Sequence, residues 1–211
     1  MKKTGVFLLI IVLISLSCTR SKPEITYGFL QLVLYQGETG VNEQFSFFII
    51  PNDGDGINNL DKLYLYHDRE QLRWQINSDE WISYEDDGRT WIGTRSISVA
   101  EGNLPRGVYR AVLFNKGGES TERNFTFDGN INYPFPELTI SEGNYTINST
   151  WPVNRLICYD SAGNYVTDIL VENLTGRVSN FNFPSTVLTA ALWADDEANF
   201  TSAYTNVVPV N

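Results

Sequence analysis

Histidine, cysteine and methionine are scarce in this chain of 211 residues, which contains one histidine, two cysteines and one methionine. Because His67 is alone, a metal site with several histidine ligands is excluded, and His67 would have to be the base of any Ser-His-Asp triad. The chain also lacks the G-x-S-x-G nucleophile elbow and a glycine-rich phosphate-binding loop. We therefore predict that the protein is not an enzyme.

Basic residues are also in short supply. Lysine and arginine total 15 against 25 aspartate and glutamate residues, so the net charge is −10. Nucleic-acid affinity comes from phosphate neutralisation by lysine and arginine, so this composition excludes a nucleic-acid partner. An anionic lipid surface would also repel the chain, because both carry net negative charge.

The apolar run at residues 6–16 is too short to be a permanent membrane span. It covers about 11 residues, whereas a spanning helix needs about 20. Lys2 and Lys3 precede the run, and the small residue Ser17 follows it, which is the order of a secretory signal. We predict that residues 1–17 are a signal peptide, whose removal would change the net charge to −12 because both lysines leave with it.

The residues up to Cys18 resemble the lipobox of bacterial lipoproteins, and the loose form of the box is similar to that of spirochaetal lipoproteins. Ser15 stands where leucine is commonest, and Leu16 where a small residue is commonest. The resemblance implies that the Cys18 thiol carries covalent lipid, such as palmitate, and is the first mature residue. It also implies a tether at residues 18–23 and an exported protein anchored to a bacterial membrane, either periplasmic or facing the surface. The alternative is an ordinary secretory signal that contains a cysteine.

Lipidation of Cys18 would leave Cys158 without a cysteine partner, so no intrachain disulfide is expected. Cys158 lies in an apolar run at residues 156–159 that is typical of a strand. We predict a buried, unreactive thiol at this position.

The rest of the chain predicts an all-β fold. Short segments rich in β-branched and aromatic residues are bounded by glycine, proline, asparagine or aspartate, and a helical period is missing. The first set of predicted strands is 25–35, 44–50, 63–66, 72–76, 81–84, 95–99, 108–114 and 124–127. The second set is 137–140, 145–147, 154–159, 165–171, 177–183, 187–193 and 203–210. Hairpin turns are predicted at residues 115–118 and 160–164.

These two sets predict two tandem antiparallel β-sandwich domains, at residues 24–128 and 137–211, joined by a linker at residues 129–136. Their size and strand spacing resemble immunoglobulin-like or fibronectin type III-like modules, although the cysteine pair of the immunoglobulin fold is missing. The segment 104–109 resembles the approach to a tyrosine corner, in which the hydroxyl of Tyr109 would bond to the backbone upstream.

Residues 51–61 contain a possible calcium loop. Asp53, Asp55, Asn59 and Asp61 place oxygen atoms at intervals that resemble an EF-type loop, but Pro51 and Lys62 stand where its first and twelfth ligands belong. We expect at most weak calcium binding here. The alternative is a turn that is rich in aspartate, glycine and asparagine.

The segment 86–91 resembles an Asp-box, which in the families that carry it is a structural β-hairpin. Aromatic residues are dense around this segment, with carboxylates close by in the sequence. Their rings would either stack on a ligand such as a sugar or belong to the core. The candidate ligand-binding residues are Trp74, Trp81, Tyr84 and Trp91.

These features predict a membrane-anchored bacterial lipoprotein that acts as a non-catalytic binding or assembly module in the cell envelope. Its partner would be an envelope protein or a surface ligand. One alternative is a carbohydrate- or calcium-dependent surface binding protein, and a weaker one is an enzyme or an accessory domain of an enzyme. A protein partner requires a contiguous exposed apolar patch, and sugar binding requires exposed aromatic rings.

The lipid anchor is tested by the intact mass of the protein extracted from membranes. We expect a mass consistent with cleavage before Cys18 plus acyl chains, because acyl chains bury CH₂ groups in the bilayer and so hold the protein there. A Cys18→Ala variant should carry no lipid. Cleavage without added lipid, together with a wild-type protein that is not membrane-bound, would contradict the anchor.

Overall fold

The structure is a computed structural model that describes residues 21–38 and 40–210. The predicted signal peptide and the predicted lipidation site at Cys18 lie outside the described residues. The all-β prediction is confirmed, since the described residues form sixteen strands and four short 3₁₀ turns. The turns are Ile57–Asn59, Asp68–Glu70, Val178–Phe181 and Glu197–Asn199.

The strands are numbered in chain order. The first eight are β1 Glu24–Gly37, β2 Gly40–Asn52, β3 Leu60–His67, β4 Leu72–Asn77, β5 Ile82–Asp86, β6 Arg89–Ile97, β7 Gly107–Asn115 and β8 Ser120–Phe127. The second eight are β9 Glu137–Ser141, β10 Asn144–Asn148, β11 Val153–Tyr159, β12 Tyr165–Leu170, β13 Thr175–Arg177, β14 Thr189–Asp196, β15 Thr201–Tyr204 and β16 Val208–Pro209.

The strands form three sheets. The largest has nine strands in the order β12-β11-β14-β15-β1-β2-β6-β5, with β16 paired to β14. A four-stranded sheet has the order β4-β3-β7-β8, and a three-stranded sheet has the order β13-β10-β9. Neighbouring strands are antiparallel except for β1 and β15, which run parallel over four residue pairs. This parallel pair was not expected from the sequence.

A long hairpin of β1 and β2 is the centre of the nine-stranded sheet. The two strands pair from Glu24 with Asn52 to Gly37 with Gly40. Their sequences contain runs of successive apolar residues, such as 32–35 and 47–50, and successive side chains in a strand point to opposite faces of the sheet. The hairpin therefore presents apolar side chains on both of its faces.

Both smaller sheets pack on one face of the nine-stranded sheet. The core under the four-stranded sheet includes Leu32, Phe47 and Leu63, and the core under the three-stranded sheet includes Leu156 and Leu192. Between them lies a small cluster of buried residues, formed by Leu34, Trp151, Ala194 and Ala203.

Residues 129–136, the predicted linker, contain no strand and lie against this small cluster. Ile131, Tyr133 and Phe135 pack on it, and the Trp151 indole N–H donates to the Pro134 carbonyl at 2.9 Å. The nine-stranded sheet includes strands from both sides of this segment. The two halves of the chain therefore share a sheet, and the domain boundaries stay a prediction.

The local predictions hold at several turns. The 115–118 and 160–164 turns join β7 to β8 and β11 to β12. The hairpin of the Asp-box segment closes through Asp87 and Gly88, which both have positive φ, as a two-residue hairpin turn requires. The strand prediction for 177–183 is wrong after Arg177, because a 3₁₀ turn follows and Asn182 has positive φ.

Tyr109 makes the predicted contact with the backbone upstream. Its hydroxyl donates to the Pro105 carbonyl at 2.6 Å, and its ring is fully buried. Burial raises the pKa of Tyr109 far above its usual value, with Glu43 adding to the effect and Arg106 opposing it. The hydroxyl therefore stays protonated and is a permanent donor to this segment.

We expect Tyr109→Phe to lower the free energy of unfolding by about 1 kcal/mol, because the Pro105 carbonyl loses its donor. In a protein of this size that corresponds to a melting temperature lower by about 2–4 °C. The matched control is Tyr64→Phe, because the Tyr64 hydroxyl makes no hydrogen bond to another described residue and its loss should be neutral. Equal melting temperatures for the two variants would show that the Tyr109 contact adds nothing.

Candidate ligand-binding groove

The face of the nine-stranded sheet that points away from the smaller sheets carries many aromatic side chains. A half-covered antiparallel sheet usually has polar residues on its solvent face. Here much of the outer face is apolar as well, since Tyr27 and Phe29 of β1 lie opposite Ile50 and Phe48 of β2. Tyr27 and Tyr84 remain exposed on this face, at 49% and 37% of their surface. An exposed apolar face of this kind is typical of an interaction site.

A groove of about 680 Å³ lies on this open face. Its volume falls within the range of about 300–1,000 Å³ that is usual for small-ligand sites. The lining comes from both halves of the chain: Phe29, Gln31, Val33, Gln44, Ser46, Phe48, Tyr84, Arg95, Ile157, Tyr159, Tyr165, Trp193 and Tyr204.

Aromatic rings line both ends of the groove. At the end formed by the first half of the chain, Phe29 stacks on Phe48, and Tyr84 meets Phe48 edge-on with 5.4 Å between ring centroids. At the other end Trp193 lies beside Tyr204, with 6.4 Å between centroids. Such contacts fix the rings in place.

Tyr159 and Tyr204 share a hydrogen bond between their hydroxyl groups at 2.9 Å. Burial raises the pKa of Tyr204, and the hydrogen bond with Tyr159 raises it further. Tyr204 therefore stays neutral. Each hydroxyl keeps some capacity for a further hydrogen bond, because a phenol is both donor and acceptor.

The floor of the groove is polar where β1 meets β15. The Gln31 side-chain nitrogen donates to Ser202 Oγ at 2.7 Å, and Ser202 Oγ donates to Asp195 at 2.6 Å. Burial raises the pKa of Asp195, although the hydrogen bonds from Ser202 and Gln31 oppose this. Because the amide nitrogen of Gln31 is held by these groups, its carbonyl oxygen is the atom left for a ligand.

Among the described residues, Arg95 is the only charged one that lines the groove. Two residues of β6, Arg95 and Ser96, lie opposite Ser46 alone, because the pairing with β2 shifts between Phe45 and Phe47. This β-bulge adds one residue to β6 and lets Ile97 return to the core. Arg95 makes no salt bridge within the described part of the chain. Burial raises the pKa of the nearby Tyr84, Asp86 adds to the effect, and the charge of Arg95 opposes it.

The four aromatic residues predicted to bind a ligand occupy two different places. Trp74 and Trp81 pack against the core under the four-stranded sheet, and the Trp74 indole N–H donates to the Ser98 carbonyl at 2.7 Å. Tyr84 and Trp91 lie on the open face, where their rings are parallel within 4°. Only Tyr84 lines the groove. Ligand binding by these residues stays a prediction.

The predicted calcium loop is closed by hydrogen bonds from the protein itself. The Asp53 carboxylate accepts from the Ser21 hydroxyl and the Asp55 backbone N–H, both at 2.8 Å, and from the Asn59 amide at 3.2 and 3.3 Å. Desolvation works to raise the pKa of Asp53, but these hydrogen bonds outweigh it and lower the pKa. Asp61 pairs with Lys62 at 3.4 Å. The loop therefore has a structural role, and calcium binding stays a prediction.

The side chains of His67 and Cys158, the residue types most suited to catalysis, are both buried in the fold. The His67 ring is buried, with Nδ1 accepting from the Glu70 backbone N–H and Nε2 lying 3.3 Å from the Arg106 carbonyl. Cys158 is buried as predicted, and burial raises its pKa to about 11, with Asp168 adding to the effect. In the described part of the chain no cluster of three or more histidine, cysteine, aspartate or glutamate residues is placed to hold a metal ion.

Most residues that line the groove were not predicted from the sequence. One signal was available, because residues 25–35 and 44–50 are apolar at successive positions and not only at alternate ones. Such runs indicate strands with apolar side chains on both faces. No local sequence pattern predicted that Trp193 and Tyr204 line the groove. They reach it only because β15 pairs with β1.

No protein-family model and no curated protein matches the chain. Solved structures that match the chain include Tp47, the 47-kilodalton lipoprotein of Treponema pallidum, at 14% identity and a TM-score of 0.45. That match covers 88% of this chain and 50% of Tp47, so the chain spans half the length of that protein. Among residues 21–38 and 40–210 no helix is long and apolar enough to cross a membrane.

Two further structures match over smaller parts of their own length. The dimeric latent PorU from Porphyromonas gingivalis matches at 16% identity and a TM-score of 0.33, over 88% of this chain and 20% of PorU. The BSP domain of a biofilm-associated protein matches at 13% identity and a TM-score of 0.29, over 90% of this chain and 29% of that chain. The immunoglobulin-like resemblance stays a prediction.

The role of Asp53 is testable through the pH dependence of stability. We expect Asp53→Ala to lower the melting temperature at pH 7 by about 2–4 °C, which corresponds to about 1 kcal/mol of lost hydrogen bonding. Since the pKa of Asp53 is lower in the folded protein, its contribution is complete above the unfolded value of about 4 and is lost as the pH falls through the folded value.

The difference in melting temperature between the wild type and Asp53→Ala should therefore narrow as the pH falls below about 4. Asp79→Ala is the matched control, because Asp79 is exposed and makes no hydrogen bond to another described side chain. A difference between wild type and Asp53→Ala that is the same at pH 7 and pH 3 would contradict the role given to the Asp53 carboxylate.

Proposed function

We propose that this protein is a lipid-anchored, non-catalytic binding protein of the bacterial cell envelope, and that it holds its ligand in the groove on the open face of the nine-stranded sheet. The anchor would be the lipid on Cys18, and the protein would be an exported one that faces the periplasm or the cell surface. The observation that carries the proposal is the aromatic lining of the open face, which combines Phe29, Tyr84 and Trp193 with polar groups in one concavity.

The composition of the groove supports binding. Its rings and apolar side chains offer surface to be removed from water, and the amides of Gln31 and Gln44 can orient a ligand. The rings are already fixed by contacts with each other, so little conformational freedom is lost when a ligand binds.

The environment of His67 and Cys158 supports the non-catalytic part of the proposal, because a hydrolytic reaction would need such side chains to be free to react. Both ring nitrogens of His67 face backbone groups, and the thiol of Cys158 is buried and has a raised pKa. A general base must reach the proton that it removes, and a nucleophilic cysteine must be a thiolate. Calcium is not part of the proposal, because donors already surround the Asp53 carboxylate.

The groove is tested by photo-crosslinking in the native cells. The photo-reactive residue p-benzoylphenylalanine replaces Tyr165, which lines the groove and is 60% exposed. We expect a crosslinked adduct of higher mass at this position, because a bound ligand lies within reach of the probe. The matched control carries the same residue in place of Tyr64, which lies on the four-stranded sheet.

A second variant makes the result specific. Trp193→Ala in the same chain should weaken the adduct at position 165 several-fold, because it removes a ring from the groove without touching either core. Equal adducts at positions 165 and 64, or no adduct at position 165, would contradict the groove as the binding site.

A further inference from the structure

We infer that the groove binds an acidic oligosaccharide, and that Arg95 selects the ligand by binding the carboxylate of a sugar ring. This inference rests on the proposed function, since it names the ligand class of the same groove. It depends on the position of Arg95, on the overall charge of the chain and on the chemistry of the other lining residues.

The β-bulge in β6 places Arg95 within the groove lining. Thr94 and Ser96 hold the bulge through a contact of 2.9 Å between their hydroxyl groups and a hydrogen bond from the Ser96 backbone N–H to Thr94 Oγ1. Bulges re-aim side chains and often lie next to functional sites. Opposite the bulge stands Ser46, a small residue of the groove lining, which leaves space beside the guanidinium group.

Within the described part of the chain, no carboxylate neutralises the positive charge of Arg95. Arg110 is paired with Asp68 at 2.8 Å and Arg155 with Asp168 at 3.2 Å, whereas Arg95, like Arg73 and Arg89, makes no salt bridge with a described residue. No described carboxylate lies within 4.0 Å of Arg95, although acidic residues outnumber basic ones by 10 in the whole chain. Among the described residues that line the groove, Arg95 is the one charged side chain, so it favours a ligand with a negative group, and its planar donors match a carboxylate.

The remaining lining residues favour a sugar over an acyl chain or a hydrophobic peptide. Sugar rings combine apolar C–H faces with many hydroxyl groups, and they need aromatic faces together with hydrogen-bonding groups. The groove supplies both, because Tyr84 and Trp193 provide rings and Gln31, Gln44 and Ser46 provide polar atoms. An acyl chain would leave these polar atoms without partners, which is unfavourable.

The position of the rings favours several linked sugars over a single one. Tyr84 lies on β5, at one edge of the nine-stranded sheet, whereas Trp193 lies on β14. Four strands separate β5 from β14 in the sheet order, and neighbouring strands are about 4.8 Å apart. A ligand that contacts both rings must therefore be extended, and a short stretch of a polysaccharide meets that requirement.

The inference is tested by isothermal titration calorimetry of the full chain with matched pairs of oligosaccharides. The probes are trimers of galacturonate, mannuronate and guluronate, each compared with its methyl ester, which has the same rings but no charge. We expect at least one acidic trimer to bind about ten-fold more tightly than its ester, since the ester loses the charge-assisted hydrogen bonds to Arg95. Added salt should reduce this preference.

Variants at Arg95 identify the group that makes the selection. Arg95→Gln should bind the acidic trimer and its ester equally, and Arg95→Lys should keep part of the preference, because it keeps the charge and loses the planar fork. Arg89→Gln is the matched control. It removes the same charge from the same strand at an exposed turn outside the groove, and it should bind as the wild type does.

The inference is overturned if no acidic trimer binds, if acid and ester bind equally, or if the preference survives in Arg95→Gln. It is also overturned if the Arg95-dependent ligand is a phosphatidylglycerol vesicle and not a sugar. These outcomes differ from a failure of the proposed function. If the position 165 adduct forms while no acidic sugar binds, the groove is a binding site for another ligand class.

Discussion

The parallel pairing of β1 with β15 is the interaction on which the shape of the molecule depends. Four residue pairs, from Leu32 with Thr201 to Tyr35 with Tyr204, join a strand near the start of the described chain to one near its end. The Leu32 backbone N–H also donates to the Phe200 carbonyl at 2.9 Å. Without this pairing the nine-stranded sheet would be two smaller sheets, and the groove would lose one of its two ends.

An ion pair between the partly exposed Arg106 and the buried Glu43 fixes the connections around this sheet. Arg106 binds the Glu43 carboxylate through two hydrogen bonds of 2.9 and 3.0 Å and also donates to the Gly129 carbonyl. The Leu104 backbone N–H donates to the same carboxylate at 2.9 Å. Burying a carboxylate is costly unless it is paired and hydrogen-bonded, and here Arg106 and the Leu104 backbone N–H satisfy it. The pair ties β2 both to the segment before β7 and to the segment that connects the two halves of the chain.

Features that depend on near neighbours in the sequence were predictable. The hairpin turns, the hydrogen bond of Tyr109 to Pro105 and the burial of Cys158 follow from residue types a few positions apart, and the structure has all three. The prediction failed at 178–183, where apolar residues typical of a strand form a 3₁₀ turn and Phe181 packs on Tyr145. The sequence did not reveal this, because the packing of Phe181 on a distant strand decides the local backbone.

By itself, the sequence determined the all-β class, most strand positions and the turns between them, because alternation, β-branched residues and glycine-rich turns act over short distances. Only the tertiary structure decided which face of each strand is covered and which residues meet in the groove. Phe29, Arg95 and Trp193 lie far apart in the sequence, and they come together through the pairing of strands from both halves of the chain. Such pairing depends on contacts between distant strands, and no local pattern encodes it.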